Sequence, residues 1–153
     1  MAVHKIDGVD GVVNYPKKFV TLWSDGAAIS KGDVVQISTS TTYGIGLTVT
    51  QADNEDCQMV VGIAMEAAGT TAIPIKVQVA GHNDIAVANA NISQFDMVGA
   101  DAADHGEMQC VGGTAGATVA LSTTVQAFAL CLTAYTAGNA DGAIFIYDHG
   151  FYG

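Results

Sequence analysis

The chain has 153 residues, the length of one ordinary domain, with fifteen acidic residues against five basic ones and a formal net charge of −10. All the basic residues are lysines, so the bidentate arginine clamps that grip phosphate are missing and the negative field repels a polyanion. Nucleic acid and an anionic membrane surface are thereby excluded as partners.

Only 13% of the residues are charged, and half are hydrophobic although just 7% are aromatic. The apolar mass is therefore Ala, Val and Ile, side chains that fill thin barrels and sandwiches closely. Eighteen glycines against two prolines add frequent tight turns. These features predict an all-β protein of short strands, with helix a minor component. A small domain with so few charges and a mean hydropathy of +0.34 exposes apolar surface as a monomer, and such surface marks a partner interface. An assembly is expected.

Cys57, Cys110 and Cys131 are odd in number and share no Cys-x-x-Cys spacing. They read as small buried hydrophobes in a reducing compartment, not as a disulfide framework or a zinc site. Residues 1–8 hold no apolar segment of a secretory signal, and no apolar run reaches the ~18 residues of a membrane-spanning helix. Without a secretory route, the glycosylation sequon Asn91-Ile92-Ser93 has no bearing.

Residues 1–16 are broken by Asp7-Gly8 and Asp10-Gly11 and carry scattered apolar residues. They read as an extended N-terminal arm ahead of a single barrel domain at residues 17–153. Val3, Ile6, Val12, Val13 and Tyr15 of the arm are expected to dock on another surface. A first strand is predicted at 18–23, with Phe19 and Trp23 as further contact residues, and a turn at 24–26. A turn leads into a strand over 29–37, and a strand at 43–50 is weakened by Gly44 and Gly46. Residues 51–56 read as a surface loop.

The stretch 58–81 organises the rest. Its first part is apolar and β-branched, as a strand buried on both faces requires. A turn at 68–71 follows. The second part alternates, with Ile73, Ile75, Val77 and Val79 facing one way and Pro74, Lys76 and Gln78 the other. Pro74 cannot donate to a ladder and belongs at a strand start or edge. The whole reads as a hairpin at the centre of the fold.

Beyond it, short strands are predicted at 84–87, within 92–98 and at 108–111, around a loop at 101–107. Residues 112–124 are low in complexity, either a loop or strand-loop-strand. A second buried-type strand spans 125–134, the last strand is 143–147, and Phe151 and Tyr152 in the tail serve as contacts. An internal echo is present: Ile29-Ser30-x-x-Asp33-x-Val35 recurs as Ile92-Ser93-x-x-Asp96-x-Val98, and Ile63-Ala64-Met65 as Phe128-Ala129-Leu130. Carried through, it places two similar half-barrels in one domain.

No catalytic constellation emerges. Asp101, Asp104, His105 and Glu107 are the densest group of potential ligands, but they lack the EF-hand pattern and a second cluster, so they read as a solvated acidic loop. Asp53, Glu55 and Asp56 read likewise. His82 and His149 adjoin glycines and mark turns, and neither they nor His4 and His105 point to chemistry. There is no Gly-x-Ser-x-Gly elbow, and Gly44-x-Gly46 lacks the third glycine of a dinucleotide loop. The chain is expected not to be an enzyme and to need no metal or cofactor.

Lys31-Gly32-Asp33-Val34-Val35, then Val61-Gly62-Ile63-Ala64, then Val77-Gln78-Val79-Ala80-Gly81, then Asp96-Met97-Val98 and a closing strand with an Ala137-Gly138 turn, resemble the capsid decoration (cement) proteins of tailed phages. The likeness spans roughly residues 17–147 and rests on the order and spacing of the motifs. It implies a compact β-barrel of the kind called a β-tulip. It also implies a structural role: a virion protein made in the bacterial cytoplasm that sits outside the shell as a trimer or dimer and clamps neighbouring major capsid subunits. Phe95 departs from the pattern, since a glycine is expected before the aspartate. The alternative is a small β-sandwich binding module, for example for carbohydrate, although no aromatic cluster stands out as a sugar platform.

Overall fold

The computed structural model describes residues 17–39, 48–52, 60–101, 104–111 and 127–148. Among these there is no helix, and the strands are β1 (Lys18–Ser24), β2 (Val34–Ile37), β3 (Thr48–Gln51), β4 (Val60–Ala64), β5 (Pro74–Asn83), β6 (Met97–Ala100), β7 (Met108–Cys110), β8 (Ala129–Thr133) and β9 (Ala143–Ile146). The expected all-β class is the observed one. The arm at 1–16, the 43–47 part of a predicted strand, the loop residues 53–56, and 112–124 lie outside the described residues.

β1 closes a five-stranded barrel. It pairs with β3 in parallel and with β5 antiparallel, and the ring runs β1-β3-β2-β4-β5 back to β1. Its interior is filled by Ile29, Val35, Val49, Val61, Ile75 and Val77, all buried, with Val20, Leu22 and Ile37 packed alongside. Alternation along β1 explains its part in this: Val20, Leu22 and Ser24 turn inward while Phe19, Thr21 and Trp23 turn to solvent.

The hairpin at the centre is present, with β4 antiparallel to β5 through Ile63 opposite Gln78 and Ala64 opposite Val77. β4 is buried along its whole length and Pro74 opens β5, as the sequence requires. Two residues depart from the alternation. Ile73 precedes the strand and is exposed, whereas Gln78 is fully buried. Gln78 escapes the solvent rule because β5 continues past the hairpin, bends at Gly81 (φ 92°) and enters a second sheet, pairing Gly81, His82 and Asn83 with Ile146, Phe145 and Ile144 of β9. His82 therefore lies inside a strand and not in a turn.

Other boundaries shift for similar reasons. Gln51 belongs to β3 and Ala52 is fully buried, so the predicted surface loop starts later than residue 51. Residues 84–87 form no ladder. Only Ala88 bridges, to Met108 in parallel and to Asn139 antiparallel. In the 92–98 stretch Ile92 makes an isolated bridge to Tyr135, and the strand itself begins at Met97.

The remaining strands repeat the scheme of the first barrel. Ile29 and Ala68 exchange backbone hydrogen bonds, and so do Ile92 and Tyr135. The Ser30 amide donates to Asp33 Oδ2 (2.6 Å) and the Ser93 amide to Asp96 Oδ2 (3.0 Å). Gly32 N donates to Ala64 O and Phe95 N to Cys131 O, while Ala64 N and Cys131 N donate back to Asp33 O and Asp96 O. Ser24 faces Val49 in parallel as Ala88 faces Met108. The echo of 29–35 in 92–98 is thus a structural repeat, whereas the echo of Ile63-Ala64-Met65 in Phe128-Ala129-Leu130 is out of register by two, since Ile63 is matched by Leu130 and Ala64 by Cys131. The interior residues Ile92, Val98, Met108, Phe128, Cys131 and Ile144 of the second ring stand where Ile29, Val35, Val49, Val61, Ala64 and Val77 stand in the first. The second core also takes in Val34, Val60 and Ile63 from the outer side of β2 and β4. The two rings share one apolar seam.

Gly62 shows how tightly β4 lies on β5. A Cβ added there would sit 1.9 Å from the Gln78 carbonyl oxygen, a main-chain atom that cannot swing away. At Gly69, in the turn, nothing lies within 4 Å. Gly62→Ala is expected to lower unfolding stability in urea by about 3 kcal/mol or more, and Gly69→Ala by less than ~0.5 kcal/mol. Equal effects would contradict this packing.

Candidate assembly surfaces

The acidic group is organised by the seam between the rings. Asp33 is buried, and its Oδ2 accepts from the Ser30 amide and from Gln51 Nε2, both at 2.6 Å. The turn at 104–107 is pinned over it: Val34 N donates to Gly106 O at 2.7 Å, Gly106 N donates to Ala52 O at 2.9 Å, and a Cβ on Gly106 would fall 2.8 Å from Asp33 Cγ. Asp101 is buried too, accepting from Asn89 Nδ2 (3.0 Å) and from the Asp104 amide (3.1 Å). The predicted solvated loop is thus correct for Asp104 and His105, which are exposed, and wrong for Asp101, whose carboxylate fastens the loop. No group of three or more His, Cys, Asp or Glu side chains among the described residues is arranged to hold a metal ion.

These carboxyls share a cost. Burial raises the Asp33 pKa against the pull of its two hydrogen bonds. Burial also raises that of Glu107, with Asp104, Asp101 and Asp33 adding repulsion. Cys131 is buried, and its thiol is pushed up to about 11, first by burial and then by Asp96 and Cys110. It is an unreactive core residue. Cys110 is half-buried against the second core. Cys57 lies outside the described residues, as do His4, His149, Asp53, Glu55, Asp56 and Gly44-x-Gly46.

Of the expected contact residues, Val3, Ile6, Val12, Val13, Tyr15, Phe151 and Tyr152 lie outside the described residues. Phe19 and Trp23 fall on the outer side of β1, two strand periods apart, with Trp23 45% exposed and Phe19 38%. Ile73, also 38% exposed, is held next to them, because its amide donates to Ser24 Oγ (3.0 Å) and its carbonyl accepts from Ser24 N (2.8 Å). The Lys76 ammonium lies over the Phe19 ring, 4.4 Å from its centre. The three make one apolar stripe on the barrel wall.

A second apolar site escaped the sequence reading. Phe95 is 69% exposed and Met97 48%, and Phe95 sits at φ 70° in the turn where its counterpart Gly32 sits at 98°. That left-handed conformation suits glycine and crowds the Cβ of a bulky residue. The missing glycine was legible as a break in the repeat. Its meaning required the turn geometry, which shows that the Phe keeps the glycine's conformation and does not change the turn.

Two outcomes follow. Phe95→Gly is expected to raise monomer stability by ~1 kcal/mol through release of backbone strain, read by urea unfolding at low protein concentration; a lower midpoint would contradict the shared turn. A carboxyl whose folded pKa lies above its unfolded one holds its proton longer when folded, so stability is lost as pH rises. Glu107→Gln is therefore expected to match the parent below pH 4.5 and to exceed it progressively above that value, read as unfolding midpoints across pH; a constant offset would contradict the repulsion at the seam. A scan against protein-family models finds no match to the chain, and a search of curated proteins finds none either.

Proposed function

We propose that this chain is a structural virion protein that binds the outside of a tailed-phage head and strengthens the joints between major capsid subunits. One observation carries the reading. The motifs behind the resemblance, at residues 31–35, 61–64 and 77–81, fall on or lead into β2, β4 and β5, three adjacent strands of one closed barrel. The low charge, the exposed stripe on β1 and the second site at Phe95 give an apolar exterior suited to assembly rather than to catalysis. A negative surface keeps such a protein off the packaged genome. The sugar-binding alternative has less support, because Lys76 occupies a face of the Phe19 ring that a stacked sugar would need.

The test uses tailed-phage heads stripped of decoration protein. Adding the purified chain is expected to place density on the outer shell in negative-stain images and to raise the temperature at which the heads release DNA. Failure to bind heads, with retention on a polysaccharide column, overturns the reading. Deleting residues 2–15 is expected to leave the melting temperature unchanged while weakening attachment at least ~10-fold, the scale of 1.4 kcal/mol. A truncated chain that does not fold makes the arm part of its own barrel, and one that binds heads as tightly as the parent denies the arm a role.

A further inference from the structure

The exposed large apolar side chains among the described residues are five: Phe19, Trp23, Ile73, Phe95 and Met97. They occupy two places, and the internal repeat relates those places to each other. Within the chain the first ring's turn is covered by the strand-like segment that opens the second ring. A Cβ on Gly32 would lie 2.3 Å from the Ile85 carbonyl oxygen and 3.6 Å from Val87 Cγ2, and Val34, two residues on, is completely buried. The hydrogen-bond scheme fixes the counterparts of both sides of that contact. Gly32 and Val34 correspond to Phe95 and Met97 through the Asp33 and Asp96 turns. Ile85 and Val87 correspond to Thr21 and Trp23, because Ala88 pairs in parallel with Met108 as Ser24 does with Val49. The same holds one residue on, where Asn89 N donates to Met108 O as Asp25 N does to Val49 O.

Among the described residues there is therefore one complete ring-to-ring contact and, on each of the two outer sides, one uncovered half of that contact. We propose that the Phe95–Met97 face of one copy receives the Phe19–Trp23 stripe of a second copy, repeating between chains the seam built within each. The occupant follows from continuity: the surface that covers Gly32 inside the chain has its counterpart exposed on β1, and a second copy supplies it. Phe95 then has a role that accounts for its strained backbone. Where Gly32 admits a main chain at close range, Phe95 holds the neighbour off by one aromatic ring and packs against its Trp23. Lys76 beside Phe19 brings a cation towards Asp96 in the facing turn. The contact joins unlike surfaces, so copies follow one another head to tail and either close into a ring or extend as a filament. It concerns the chain alone and stands apart from attachment to a shell.

Sedimentation velocity on the full chain tests it, up to about 100 µM, a range that detects contacts of micromolar affinity. The parent is expected to associate. Phe95→Gly, Met97→Asp and Trp23→Ser are each expected to weaken association at least ~10-fold, as loss of a central anchor does. Phe95→Gly does so while its monomer unfolds at no lower urea, which separates the contact from the fold. Mixing Phe95→Gly with Trp23→Ser is the decisive arm: each variant keeps the half that the other lost, so the mixture forms one-to-one pairs although each alone stays monomeric. A monomeric parent throughout the range, variants that associate as the parent does, or a mixture that stays monomeric each overturns the proposal.

Discussion

The fold depends on a single strand that belongs to both rings. β5 enters as the wall of the first barrel between β1 and β4, bends at Gly81, and leaves as the neighbour of β9. A buried amide braces the bend. Gln78 Nε2 donates to Ala80 O (3.1 Å) and His82 O (2.8 Å), while its Oε1 accepts from Asn83 Nδ2 (3.1 Å). Asn83 Oδ1 in turn accepts from the amides of Ile85 and Ala86. Such a network is costly to break, because losing either amide leaves several buried polar groups without partners. It fixes the angle at which the second ring leaves the first, and hence where segment 85–88 lies on the Gly32 turn.

Around that crossing the two rings use one design with different residues. Asp25 Oδ2 accepts from Ser38 Oγ in the first ring (2.9 Å), and in the second Asn89 Nδ2 donates to Asp101 Oδ2 (3.0 Å). The donor and acceptor have changed places while the link has stayed. The acidic crowding at the seam follows from this exchange. Asp101 is the second ring's half of a polar link, Asp33 holds its own turn, and the loop carrying Asp104 and Glu107 is pinned over Asp33 through Gly106. The cluster is thus explained as joinery between rings, with repulsion tolerated because each buried carboxylate keeps amide or main-chain donors.

Sequence alone determined the class, the central hairpin, most strands and the echo of 29–35 in 92–98, because these rest on local signals. β-branched runs, period-two alternation and turn glycines act within a few residues of where they are written. The outward position of Phe19 and Trp23 was also legible, since their spacing on β1 puts both on the face that Val20 and Leu22 do not use.

Tertiary structure decided what depends on distant chain meeting. Gln78 reads as a solvent-facing residue and is buried because β5 is crossed by a second ring sixty-odd residues on, at 144–146. Asp101 reads as a surface acid and is buried because Asn89 comes to meet it. The 84–87 stretch has strand-like composition, yet it makes no ladder, because its contact with β7 is confined to the single bridge of Ala88 to Met108, made by the Val87 carbonyl and the Asn89 amide. Phe95 looked like a flaw in the repeat. Only the folded turn shows a phenylalanine in a glycine's conformation, exposed where the matching Gly32 is covered by Ile85, because the described residues supply one cover for two equivalent turns.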